Sequence, residues 1–346
     1  MMQRLKYLTL ILGFVVKGFA VDGASGWELT EYVWNWGIVT TADIGPGKDP
    51  IQYFDKDIYY FDPSSYQVKS GDIVWVKTSN FPQFYETVVP TISQPCVLIV
   101  SIGDGSFPTN CLIEPALSYL LSNPNIVHIF AQNYDYNGDS GKVTPIPIGV
   151  DFHTIAYAAP LTGVWGEIGS AHDQEAVLKQ VLSGLHPTNV RKKRAYVDFH
   201  LNDTTQGLHR RDLQFGETRA MIFSRLCQTG LIDYREDRIR RSDLWRIKGE
   251  YAFSICPYGN GVDTHRVWED LILGCIPIVK SSPLNSLYQG LPVVIVNDWS
   301  ELTEANLERW YEQYGDAFTN PSYREKLTNC YWIEKIRSAA LPYRGR

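Results

Sequence analysis

The most constraining feature of this 346-residue sequence begins near residue 72, where short runs of β-branched residues alternate with segments of helical period. Such alternation is the pattern of a parallel sheet covered by helices. In the first half the runs predict strands over residues 73–77, 97–102, 126–131 and 143–148, with helices over 82–92 and 110–121. The pattern breaks at Ser183-Gly184-Leu185-His186-Pro187, and the charged run from Arg191 to Arg194 leads into a fresh strand. The second half repeats the alternation, with strands over 195–201, 251–256, 276–280 and 293–296 and helices over 217–228, 264–273 and 303–314. The expected fold is therefore α/β, with two doubly wound units whose strand ends face one another across a cleft. The expected domains are residues 21–187 and 188–320, with a last helical stretch in 321–346 crossing back onto the first. Residues 26–66, crowded with Trp, Tyr, Asp and Pro, have no clean period and are expected to wrap the first domain irregularly.

The N-terminus places Arg4 and Lys6 before an apolar run from Leu8 to Val16 and small residues at Gly18 and Ala20. This is the layout of a secretory signal peptide over residues 1–20, and Lys17 interrupts the run short of the roughly 20 residues a spanning helix needs. The expected address is the secretory lumen (Golgi or endoplasmic reticulum) or the exterior, with membrane contact only through an uncleaved anchor. The six cysteines are widely spaced with no C-x-x-C pair, which disfavours zinc. Asn202-Asp203-Thr204 is a glycosylation sequon, whereas Asn320-Pro321-Ser322 is blocked by its proline. A net charge of −6 lacks the positive field that nonspecific nucleic-acid binding relies on, so no nucleic-acid partner is expected.

The stretch from Tyr251 to Lys280 reads strand, glycine loop, helix, strand. Gly259 and Gly261 permit close backbone approach, and a helix starting near Asp263 or Thr264 offers unpaired N–H groups and the positive end of its dipole. This suits phosphate. Arg266 lies in the first turn, against the dipole, where its planar fork can pair with diphosphate oxygens. Glu269 follows on the same face and can accept from ribose hydroxyls. By spacing alone, an Arg266–Glu269 surface pair with ordinary turn glycines accounts for the residues equally well.

This run resembles the donor-site signature of the exostosin-type glycosyltransferases, in which a glycine loop leads to an arginine, a glutamate and a Gly-Cys-Ile-Pro turn, here Gly274 to Pro277. Two further segments are similar to blocks of that family's shorter members: His128 to Asp135 with Pro145 to His153, and residues 195–219. The resemblance implies a GT-B-like architecture, a nucleotide-sugar donor, expected to be a UDP-sugar, held by the second domain, a glycan acceptor and inversion at the anomeric carbon. On that reading Arg266, then Arg219, neutralises the leaving diphosphate, and Tyr258, Asn260, Asp263 and His265 join the glycines and Glu269 in holding the donor. Inversion needs a general base from the opposite domain. Asp135 is the first candidate and Asp151 the second, followed by His153 and Asp104, and Asp104, Ser106 and His153 are expected to meet the acceptor. Loop aspartates are nonetheless commonly turn or cap residues. The only Asp-x-Asp spacing is Asp55-Lys56-Asp57, far from the phosphate loop, so no metal and no cofactor beyond the donor is expected. Two other functions fit the same residues, namely a fucosyltransferase-like enzyme using a GDP-sugar and a non-catalytic carbohydrate-binding protein.

Overall fold

The computed structural model describes residues 30–45, 61–138, 141–157, 162–166, 169–201 and 216–345. The signal-like segment, the Asp55–Asp57 pair and the sequon at Asn202 lie outside the described residues. Among those described, no helix is long and apolar enough to cross a membrane.

The first lobe is built on four parallel strands, β1 (Asp72–Lys77), β2 (Cys96–Ser101), β3 (Ile126–Ala131) and β4 (Val143–Pro145), in the order β1-β2-β3-β4. Sequential order with right-handed crossovers sends the connecting helices to one face. The chain's last helix, Asn329–Ala340, packs on β1, β2 and β3 and joins the lobe's core through Trp332, Ile336 and Ala340. Its first residue is buried and ties the helix to the segment at residues 30–32, Asn329 Nδ2 donating to the Thr30 and Tyr32 carbonyls at 2.8 and 2.9 Å. Trp34 and Trp36, from the aromatic N-terminal stretch, are buried in the same core.

The second lobe holds β5 (Lys192–Val197), β6 (Ile232–Tyr234), β7 (Tyr251–Ile255), β8 (Ile276–Lys280) and β9 (Val294–Val296), all parallel, in the order β6-β5-β7-β8-β9. The chain starts in β5, moves outward to β6, then returns to the other side of β5 for β7. The direction of winding therefore reverses between β5 and β7, and in open α/β sheets ligands lie outside the strands' carboxyl ends at such a switch point. The helix His265–Leu273 follows β7 and is stopped by Gly274 in the left-handed region (φ 75°), where a Cβ costs energy. Two parallel-sheet α/β lobes facing one another make the architecture GT-B-like. All six cysteines are free, and Cys96, Cys111, Cys256 and Cys275 are buried.

Candidate active site

A cavity of about 810 Å³ opens between the lobes at the β5/β7 switch point. From the segment just after β5 come Asp198, Phe199 and His200, from the loop after β7 Gly259, Asn260, Gly261 and Asp263, from the following helix His265, Arg266 and Glu269, and from the first lobe Asp104, Ile148 and Asp151. Every donor-side residue singled out in the sequence except Tyr258 lines it. Tyr258 is buried behind the loop, its hydroxyl 3.1 Å from the Ser281 carbonyl, while its own carbonyl accepts from Arg219 Nε at 2.9 Å.

Arg219 and Arg266 both line the cavity and share one aromatic neighbour. Their guanidinium carbons lie 6.0 and 5.9 Å from the centre of the Phe199 ring, within reach of a cation–π contact. A third arginine, Arg238, lines the same wall. His200 registers the field: burial first, then Arg238, Arg266 and Arg219, push its pKa down.

The expected neighbour of Arg266 is a different carboxylate. Its side chain, 14% exposed, pairs through Nε with Asp198 rather than with Glu269, and its terminal Nη groups have no partner among the described residues. Lys248, fully buried, donates to Asp198 Oδ2 at 2.9 Å and sits 2.5 Å from buried Asp270. Burial alone would push Asp198 up, but Arg266 and then Lys248 overcome it and hold the carboxyl far below the usual range. Glu269 is taken by Arg241 (2.5 Å) and by Trp245 Nε1 (3.2 Å), and Arg241 also donates to Gln174. The Arg266–Glu269 surface pair is therefore absent, because each partner finds a buried counter-charge from another element.

Several hydrogen bonds cross the cleft floor and fix the loop against the first lobe. Ile148 N donates to Asp263 Oδ2 (2.8 Å), Asp263 N to Asn133 Oδ1 (2.9 Å), Asp151 N to Glu269 Oε1 (3.4 Å) and Asn260 Nδ2 to Asp104 Oδ2 (3.2 Å). Gly261 approaches so closely that a Cβ would fall 2.6 Å from Asn133 Nδ2. Gly149, at φ 70°, would drive a Cβ to 2.2 Å from the Val33 carbonyl oxygen. Burial pushes the Asp263 carboxyl up to about 6, opposed by donors from Ile148, Trp268, Thr264 and Tyr288.

The first-lobe candidates divide. Asp135, the expected base, does not line the cavity; its Oδ1 accepts from Thr109 N at 3.2 Å and its own N–H donates to the Phe107 carbonyl, which places it in the packing of a neighbouring loop. Ser106 is fully buried, donates its N–H to Asn110 Oδ1 and does not line the cavity. Asp104 and Asp151 do line the cavity. His153 stands behind Asp151, its Nδ1 3.0 Å from Asp151 Oδ1, and its ring centroid is 5.1 Å from that of His265. Although burial opposes ionisation, His153 and His265 hold the Asp151 carboxyl well below its usual range.

Asp198, His200, Arg238, Arg241 and Lys248 were not legible as site residues. The expected strand over residues 195–201 put Asp198 in its interior, whereas β5 ends at Val197 and makes Asp198 the first residue beyond the carboxyl edge. Helix Arg241–Lys248, which supplies Arg241, Trp245 and Lys248, was not anticipated.

No family model matches the chain, and no curated protein does. Among solved structures, an α,α-trehalose-phosphate synthase (UDP-forming) from Burkholderia vietnamiensis is similar at 14% identity over 85% of this chain and 81% of its own, with a TM-score of 0.40. A UDP-forming α,α-trehalose-phosphate synthase from Burkholderia xenovorans gives 13%, 90%, 85% and 0.38. A trehalose-6-phosphate structure from E. coli bound with UDP-2-fluoro glucose gives 13%, 92%, 90% and 0.38. Likeness at this level fixes neither substrate nor reaction.

Proposed function

We propose that this chain is a glycosyltransferase that moves a sugar from a nucleoside-diphosphate donor, a UDP-sugar, to a hydroxyl of a glycan. The observation that carries the reading is the convergence of Arg219 and Arg266 on a glycine loop at the topological switch point of the second lobe. A departing nucleoside diphosphate gains negative charge, and preoriented guanidinium groups beside backbone N–H groups stabilise that charge without reorganising. Arg266 is preoriented by Asp198, and its Nη groups, without a partner among the described residues, are the ones that meet phosphate oxygens. Arg219 is anchored through Nε to the Tyr258 carbonyl in the same loop.

The acceptor enters from the first lobe. With Asp135 turned into loop packing, Asp104 takes the role of general base: it is exposed, lines the cavity and stands 3.2 Å from Asn260 of the donor loop. A base on one lobe and leaving-group stabilisers on the other suit an in-line displacement with inversion. The test is a screen of UDP- and GDP-sugars for nucleoside-diphosphate release in the presence of monosaccharide acceptors, with the anomeric configuration of the product read by NMR. Release of UDP and an inverted product are expected, together with loss of turnover but not of UDP binding in Asp104→Asn. GDP-sugar use, net retention, or glycan binding without nucleotide affinity would each overturn a stated part of the proposal.

A further inference from the structure

Three side chains that the sequence scatters meet where the lobes touch. Asp151 and His153 come from the loop and short helix after β4 and His265 from the first turn of the helix after β7, and one ligand-capable atom of each lies within 4.8 Å of the others. The orientation of His265 is fixed from behind. Its Nδ1 is 2.7 Å from the Gly149 carbonyl oxygen, which can only accept, so Nδ1 carries the hydrogen and the lone pair resides on Nε2. A backbone carbonyl holding the far nitrogen in this way is the usual support of a metal-binding imidazole. Asp151 is steadied in turn by the Thr154 N–H, which donates to Oδ1 at 3.0 Å.

The surrounding charge favours a cation. Beyond one another, the charges that weigh most on these three residues are Asp104, Glu269 and Arg241. With Asp151 these make three carboxylates against one guanidinium, and that guanidinium is already paired with Glu269. Arg219 and Arg238 belong to the second-lobe wall and are not among the charges that weigh most on these three residues.

We propose that Asp151, His153 and His265 bind one divalent first-row transition ion, of the zinc, cobalt or manganese type, which bridges the two lobes and keeps an open position toward the cavity. Two imidazoles and a carboxylate select such ions over magnesium or calcium, which prefer all-oxygen shells. Ligands about 2.1 Å from a tetrahedral ion stand roughly 3.4 Å apart, so a spread of this size closes by side-chain rotation. The site departs from the metal-free expectation, which rested on the lack of an Asp-x-Asp pair near the phosphate loop. It is independent of the transferase reading, because ion binding needs no nucleotide.

The experiment titrates chelator-stripped, tag-free full chain with Co²⁺, following visible d–d absorption and heat of binding. One equivalent bound, with the intense absorption of a low-coordinate histidine site and displacement by Zn²⁺, is expected. His153→Gln and His265→Gln should each weaken binding by at least ~100-fold, since even outer partners of metal ligands are worth about 10–100-fold. The exposed His172→Gln should leave it unchanged. Absence of stoichiometric binding, or equal affinity in the wild type and His265→Gln, would overturn the site. If a histidine variant fails to fold by circular dichroism, the near-isosteric Asp151→Asn decides in its place, with the same loss expected and unchanged affinity refuting.

Discussion

Replacing Lys248 by methionine probes the charge lattice that aims Arg266. Lys248 is fully buried and lies between two carboxylates, 2.9 Å from Asp198 and 2.5 Å from Asp270, with Asp270 also fully buried. The wild-type group is balanced, with Asp198 and Asp270 facing Lys248 and Arg266. Methionine preserves the volume of the stem but leaves Asp270 without its cation, and an uncompensated buried charge costs about 3–5 kcal/mol. At roughly 2–4 °C per kcal/mol, the melting temperature should fall by about 6–20 °C. The pH dependence carries the decisive sign. In the wild type, Asp198 is held below its unfolded value, so its contribution is present above about pH 4 and is lost as pH falls through the folded pKa. Asp270 runs the other way: burial raises its carboxyl even with Lys248 in place, so protonation favours the folded state. Without Lys248 that shift grows, and the deficit of Lys248→Met should be largest near about pH 7–8 and shrink toward about pH 5. Thermal and urea unfolding followed by tryptophan fluorescence measure both quantities. Adding Asp270→Asn should restore most of the loss, because the surplus charge is removed together with its counter-ion. A deficit below about 1 kcal/mol, or one that does not change with pH, would refute the reasoning.

Calorimetric titration with UDP should show Arg266→Gln and Arg219→Gln each weakening binding by roughly tenfold to a hundredfold, the equivalent of one charge-assisted hydrogen bond; unchanged affinity in both would remove the diphosphate from this end of the cleft. Gly261→Ala forces a Cβ to within 2.6 Å of the Asn133 side chain across the lobe boundary. Overpacking of this kind costs about 1–3 kcal/mol, so unfolding should shift accordingly and the cleft should widen in small-angle scattering. Asp135→Asn keeps an oxygen for the Thr109 N–H and should leave transfer near the wild-type rate, whereas a large loss would return the base to that position.

The local rules that shape strands and loops operate within a few residues, and for that reason the α/β class, most strand positions and the donor loop were legible in the sequence. Gly259, Gly261, Arg266 and Glu269 all line the cleft because a strand, a glycine turn and a helix leave little freedom for where their residues point. Partners are a different matter, since they depend on sheet order. Helical spacing sets Glu269 beside Arg266, yet the β6-β5-β7 order brings Asp198 to the carboxyl edge next to the loop, and the helix Arg241–Lys248 arrives with a second arginine. Arg266 and Glu269 are then separated by stronger, buried counter-charges rather than left to pair at the surface. Asp135 shows the same dependence on partners: it follows β3 at its carboxyl end, but the Phe107 to Thr109 segment engages both its backbone and its carboxylate.

That separation of charge ties the fold to the chemistry proposed for it. Across one cavity the second-lobe wall gathers Arg219, Arg238 and Arg266, while the first-lobe edge presents Asp104 and Asp151, with His153 behind Asp151. A uniformly basic cleft would hold a diphosphate before and after transfer with equal strength and would offer no carboxylate to receive the acceptor's proton. A uniformly acidic one would repel the donor. Placing the poles on different lobes lets each be built from its own sheet, and the hydrogen bonds between the donor loop and Ile148, Asn133 and Asp104 set the distance between them. Widening that distance should therefore impair transfer more than donor binding, since the residues proposed to hold the donor all lie on the second lobe. Gly261→Ala, which strains the boundary without touching either arginine, separates the two effects when turnover and UDP affinity are measured on the same preparation.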